Sequence, residues 1–240
     1  MNKKSLLCVL VIAICALLFV VILMLVKRPE NKENVNKKTG GWTFNTNIKT
    51  VSISKDALDA FNKATEEYDG MTFEPVALLG TQVVAGTNYM FLCKGTTVTA
   101  TSKTDLKVVI VYKDLNNKSE ITSVKDFDYT KYTNKNIENN SQKLSGGWQV
   151  TSPNDTNKLD EKIQNIFDNA TSTLAGISYK PIAVLGTQVV AGKNYAILCY
   201  GHASYPDTQE SIYLVTIYDD INGGQEITYQ AYIDISEFND

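Results

Sequence analysis

The stretch Leu79-Gly-Thr-Gln-Val-Val-Ala-Gly86 returns unchanged as Leu185-Gly-Thr-Gln-Val-Val-Ala-Gly192, and each copy runs on into Asn-Tyr, Leu-Cys and Gly at matching distances. The offset of 106 residues extends outward in both directions without a gap. It pairs Gly40-Gly41-Trp42 with Gly146-Gly147-Trp148, Phe61 with Phe167, Pro75 with Pro181 and Tyr112 with Tyr218. Identity is concentrated: from Pro75 to Gly95, 15 of 21 positions match their partners, whereas from Ser54 to Asp69 only 3 of 16 do. Either packing or a role of the loop holds this region fixed. The period is too long for a solenoid and suits two globular domains of about 100 residues each.

The chain has 240 residues, 43% of them hydrophobic, enough for two small cores once the N-terminal segment is set aside. A net charge of -3 with no Lys/Arg cluster on a regular face argues against nucleic-acid binding. Leu6 to Val26 is 21 residues without a charge, preceded by Lys3 and Lys4. As a helix it would reach roughly 30 Å, the hydrocarbon thickness of a bilayer. Its exit, Leu23-Met24-Leu25-Val26-Lys27, has no small-x-small cleavage site, and neither Cys8 nor Cys15 follows a small residue as a lipoprotein signal requires. The segment reads as an uncleaved transmembrane signal anchor with residues 1–5 in the cytoplasm and everything beyond it outside the cell. Residues 27–39 are then a polar tether, 40–129 a first domain, 130–145 an Asn-, Lys- and Ser-rich linker and 146–240 a second domain.

Within the first repeat, Trp42 to Ile53 is rich in strand formers. Ser54 is a plausible N-cap for a helix through Tyr68, with Ala57, Leu58, Phe61, Ala64, Thr65 and Tyr68 on one stripe. Thr72–Gln82 and Thr87–Lys94 read as a hairpin turning at Val-Val-Ala-Gly. Leu106–Lys113 and Glu120–Tyr129 read as a second hairpin, whose copy carries the type I′ signal Asn222-Gly223. A helix against one face of an antiparallel sheet gives an α+β class. Cys93 and Cys199 take equivalent places, one per repeat and each in an apolar run, so neither repeat closes its own disulfide.

This order, with Gly-Gly-Trp at the first strand and Gln-Val-Val-Ala-Gly at the first hairpin, resembles the cystatin family of papain-like cysteine protease inhibitors, and the Gly-Gly-Trp start is similar to plant members. The resemblance covers nearly all of both repeats and implies two tandem cystatin-like domains. It implies inhibition without chemistry: a wedge made of the N-terminal trunk and two hairpin loops blocks the protease cleft. The protease-binding residues it implies are Gly40, Gly41, Gln82, Val83, Val84, Ala85 and Gly86 in the first repeat. In the second they are Leu144, Gly146, Gly147, Gln188, Val189, Val190, Ala191 and Gly192. The glycines permit the turns, and the valines and alanine offer apolar atoms at a rigid tip, where little ordering entropy is lost on binding.

Two departures bear on this. Neither Asn116-Asn117-Lys118-Ser119 nor Asn222-Gly223-Gly224-Gln225 supplies the Pro-Trp of many family members at the second hairpin. The first trunk carries Lys38 where the second carries Leu144, so the second repeat is expected to be the better inhibitor. Catalysis has little support: the one histidine, His202, is three residues from Cys199 and has Thr96 as its counterpart. No metal-ligand cluster or nucleotide motif is present, and no cofactor or small-molecule substrate is expected. The competing reading is a cell-surface interaction module, an adhesin or stalk, without a protease target.

Overall fold

A computed structural model of the chain describes residues 40–44, 52–133, 147–150, 159–204 and 211–239. All of them belong to one compact unit, Thr39–Asp240. The first repeat comprises β1 (Trp42–Phe44), α1 (Lys55–Thr65), β2 (Met71–Val84), β3 (Gly86–Thr97), β4 (Thr104–Lys113), β5 (Ser119–Asp126) and a 3-10 turn at Tyr129–Tyr132. The second comprises β6 (Gln149–Val150), α2 (Glu161–Thr171), β7 (Ile177–Val190), β8 (Gly192–Ala203), β9 (Ser211–Asp219), β10 (Gln225–Tyr232) and a 3-10 turn at Ile235–Phe238. Each repeat forms a five-stranded sheet with neighbours in sequence order and every pairing antiparallel.

The helices start where capping chemistry puts them. The Ser54 hydroxyl accepts from the Ala57 amide, and Asp160 accepts from the Ile163 amide at 2.8 Å, each satisfying one free donor of a first turn. Helix α1 stops at Thr65, short of the Tyr68 expected. The Thr65 hydroxyl bonds back to Phe61 O at 3.0 Å, Gly70 turns the chain at φ +83°, and the Tyr68 ring packs on Phe73 instead of extending the stripe. Ala57, Ala60 and Phe61 of α1 are buried against Leu78, Tyr89, Phe91, Cys93, Val109 and Val111. Ile166 and Phe167 of α2 are buried against Tyr195, Ile197, Cys199, Val215 and Ile217.

The opposite face of each sheet is buried too, and what covers it is the other sheet. On β3, Tyr89, Phe91 and Cys93 point to α1, while Met90 and Leu92 point away from it. On β8, Tyr195, Ile197 and Cys199 point to α2, while Ala196, Leu198 and Tyr200 point away. The inward sets join with Val76, Leu79, Val108, Ile182, Leu185, Ile212 and Leu214 in one continuous core shared by both repeats. Parting the repeats would expose this layer to water, at about 1.5–3 kcal/mol for each fully buried aliphatic side chain. The repeats therefore stand or fall together.

This arrangement corrects the expected fold class. The described residues are predominantly strand, in two stacked antiparallel sheets with one 11-residue helix each. They are not a pair of separate α+β cystatin-like domains. A single short helix covers part of one face of strands up to 14 residues long, and the remaining burial comes from sheet on sheet. No helix among the described residues is long and apolar enough to cross a membrane. The expected anchor at Leu6–Val26, the tether and most of the linker lie outside the described residues.

The stacking is reciprocal. Tyr129, just past β5, packs over the backbone of Gly186 in β7 and meets Trp148 edge-on at 5.9 Å. Its counterpart Ile235, just past β10, packs over Gly80 in β2, within 3.0 Å of where a Cβ there would stand, and Trp42 lies beside the same site. Both contacts fall at bulges, between Leu78 and Gly80 and between Val184 and Gly186. Two residues in one repeat touching the same two in the other is the signature of a self-complementary two-fold contact, here closed within one chain.

Candidate functional site: the hairpin tips

One end of each sheet gathers the segments singled out in the sequence. Trp42 pairs with Gln82, Val84 with Gly86 and Thr87 with Lys113, so the Gly40–Gly41 trunk, the Val83–Gly86 tip and the second hairpin lie side by side. Gln149–Val150, Val189–Gly192 and the β9–β10 turn do the same in the second repeat. The tip valines are not a buried pair: Val83 is 48% exposed, Val84 39% and Val189 58%, with Val190 half-buried and Ala85 and Ala191 exposed. Gly40, Gly41 and Gly147 are also exposed. Leu144 and Gly146 lie outside the described residues, so the second trunk is placed only from Gly147 onward.

The glutamines do not share this exposure. Gln82 Nε2 donates to Gly40 O at 2.6 Å, and Gln82 Oε1 accepts from Asn88 Nδ2 at 2.6 Å. Gln188 is buried and accepts from Asn194 Nδ2 at 2.9 Å. Their amides brace the hairpin, and Gln82 also ties the trunk to it. They hold the tip in place and leave the contact to the valines and alanine.

Two tyrosines complete the brace. Tyr112 donates its hydroxyl to Ala85 O at 2.5 Å, and Tyr218 donates to Ala191 O. Gly86 and Gly192 sit at φ +128° and +125°, and a Cβ at either would strike the carbonyl of Lys113 or Asp219 and the tyrosine ring. Glycine is required there twice over, by its backbone angle and by the close approach of the neighbouring strand. The 106-residue pairing marks these tyrosines as equivalent, but only the cross-strand register reveals what they hold.

The second hairpins hold a feature that the sequence reading passed over. Leu115 is 80% exposed and Ile221 77%, at equivalent positions on the turns. Asp114 Oδ1 accepts from the amides of Asn116 and Lys118, both at 2.8 Å, and Asp220 Oδ1 accepts from Asn222 N at 2.6 Å. The signal available was an aliphatic residue between turn formers in both copies. The turn also differs from the type I′ expected, which needs positive φ at both central residues. Only Gly223 has it, as Asn117 does in the first repeat, and the Gly223 amide bonds Asp220 O at 2.9 Å. That is a three-residue loop in which a type I turn precedes a left-handed residue.

The charges around the two ends differ. Lys113, Asp114, Lys118 and Glu120 surround the first second-hairpin, with Lys113 paired to Asp56, which also accepts from Tyr89 at 2.5 Å. These partners, Lys113 foremost and then Tyr89, hold the Asp56 carboxyl below its usual value. Burial, and then Asp56, push the Tyr89 phenol up to about 12. At the second end Asp219, Asp220 and Glu226 stand where the first has Lys113, Asp114 and Glu120, with Lys193 nearby. Among backbone partners first, Asn222 holds the Asp220 carboxyl below its usual value.

Among the described residues no cysteine chemistry is assembled. Cys93 packs under α1 and Cys199 under α2, on outward faces with the shared core between them, so they do not meet; burial pushes both thiols up. His202, three residues along β8 from Cys199, is exposed on the other face of the strand. Among the described residues no group of three or more His, Cys, Asp or Glu side chains is arranged to hold a metal. No protein-family model matches the chain, and no curated protein matches it.

Proposed function

We propose that the chain is a reversible, non-covalent inhibitor of papain-like cysteine proteases that blocks the active-site cleft with its hairpin tips. The observation that carries this reading is the exposed, braced apolar tip at Val83–Ala85 and Val189–Ala191, flanked by a glycine trunk and by Leu115 or Ile221. Such a tip enters a hydrophobic cleft with little loss of conformational freedom, since its carbonyl and its base are already bonded. The resemblance to the cystatin loop supplies the target class. Leu115 and Ile221 stand where many family members have Pro-Trp and offer a smaller apolar contact. The uncharged run Leu6–Val26 supports anchorage at the cell membrane with the repeats outside. Residues 30–240 titrated against papain with a peptide substrate test the reading; no inhibition at micromolar concentration would remove it as a general inhibitor.

The missing aromatic anchor favours a second reading, a cell-surface interaction module that uses the same tips on a partner other than a protease. Binding of papain without loss of its activity, or no binding at all, would point that way.

A further inference from the structure

The reciprocal stacking decides where the two tips point. Gly80 lies five residues before the Ala85 tip, and it is covered by Ile235. Ile235 follows Tyr232, which pairs with Tyr213 at the end of the second sheet remote from its own hairpin tips. Likewise Gly186, five residues before the Ala191 tip, is covered by Tyr129. Tyr129 follows Asp126, which pairs with Lys107 at the tip-remote end of the first sheet. The Tyr200 hydroxyl, in the tip-remote half of β8, reaches Leu78 O in β2 at 3.5 Å, in the same sense. Each tip is therefore beside the blunt end of the other sheet.

From this geometry we propose that one chain holds two partner proteins at once, one on each end, facing away from each other. The proposal rests on the reading of the tips as protease-binding. At about 3.3 Å per residue along the strands, the tips stand on the order of 40 Å apart. A globular partner of about 200 residues has a radius of gyration near 17 Å, so two such partners docked outward on opposite ends do not collide. The shared core makes the spacing rigid, because separating the ends would require parting the two sheets. The chain is thus a two-ended clamp of fixed length, and each partner presents a concave apolar groove that admits Val83–Ala85 or Val189–Ala191.

The test is the mass of the complex between the full chain in detergent micelles and papain whose nucleophilic cysteine is replaced by alanine, measured by sedimentation with papain in excess. Two papain molecules per chain are expected. Val83→Asp and Val189→Asp, at exposed tip positions that bear no core packing, should each reduce this to one, and the double variant to none. One papain per wild-type chain overturns the two-ended arrangement while leaving inhibition intact. Absence of any complex overturns the protease-binding reading on which the arrangement rests.

Discussion

The phenol of Tyr129 in the first repeat lies over the backbone of Gly186 in the second, so closely that a Cβ on Gly186 would overlap it. A methyl group there cannot be absorbed by a flexible end, because the ring is itself packed against Trp148. Gly186→Ala should cost about 1–3 kcal/mol by overpacking, read as a lower urea midpoint, and Tyr129→Leu should recover part of it. Gly80→Ala should cost less, since its nearest neighbour is the terminal methyl of Ile235. A neutral Gly186→Ala would contradict the stacked arrangement.

Thr216 takes, in the shared core, the place that Ile110 holds in the first repeat, and its buried hydroxyl has no hydrogen-bond partner among the described residues. Removing an unsatisfied buried hydroxyl at nearly constant shape should stabilise by about 1 kcal/mol. Thr216→Val is therefore expected to raise the urea midpoint without changing the slope. A loss of stability would mean that the hydroxyl is satisfied in solution.

The pair of Asp56 with Lys113 predicts a mild acid sensitivity. Because the folded carboxyl titrates below its ordinary value of 3.8, its stabilisation is present above that pH and is lost as pH falls through the lower, folded value. The Asp56 side chain is well exposed, so the contribution is at the scale of surface pairs, about 0.2–1 kcal/mol. Asp56→Asn should lower stability at pH 6 and converge with the wild type below the folded value. Parallel curves throughout would show that the pair contributes nothing.

The tyrosine braces predict a larger effect on the tips than on the cores. Tyr112→Phe and Tyr218→Phe each delete one hydrogen bond to a tip carbonyl, which contributes about 0.5–1.5 kcal/mol to the folded state. Loosening a tip adds an ordering cost to binding, so the Tyr112→Phe/Tyr218→Phe double variant should inhibit papain less well, while each single variant still inhibits through its intact end. Undiminished inhibition by the double variant would make the tyrosines merely structural.

Much of this was readable from the residues. The element order, the first-hairpin tips and the start of α1 follow from turn chemistry, apolar spacing and the side-chain oxygen of Ser54. The stacking does not, although its trace is there. Tyr89–Cys93 and Tyr195–Tyr200 are unbroken apolar runs, and a strand with one wet face would alternate instead. Such runs demand cover on both faces, but one short helix per repeat supplies only one cover. That the second cover is the other repeat depends on contacts such as Tyr129 with Gly186, far apart in the chain and invisible to local pattern. The same holds for Tyr112 with Ala85 and for Gln82 with Gly40, which are set by register across strands.

The glycines at the tips offer the sharpest separation of function from fold. Gly86→Val and Gly192→Val would force a branched side chain against a carbonyl and a tyrosine ring at a positive φ, reshaping the hairpins at positions outside every buried cluster. The decisive measurement is the inhibition constant of residues 30–240 against papain, for the wild type and for the double variant. Inhibition below micromolar that falls at least tenfold in a double variant of wild-type circular dichroism is the result expected; inhibition that is absent in both, or unchanged by the two substitutions, would contradict it.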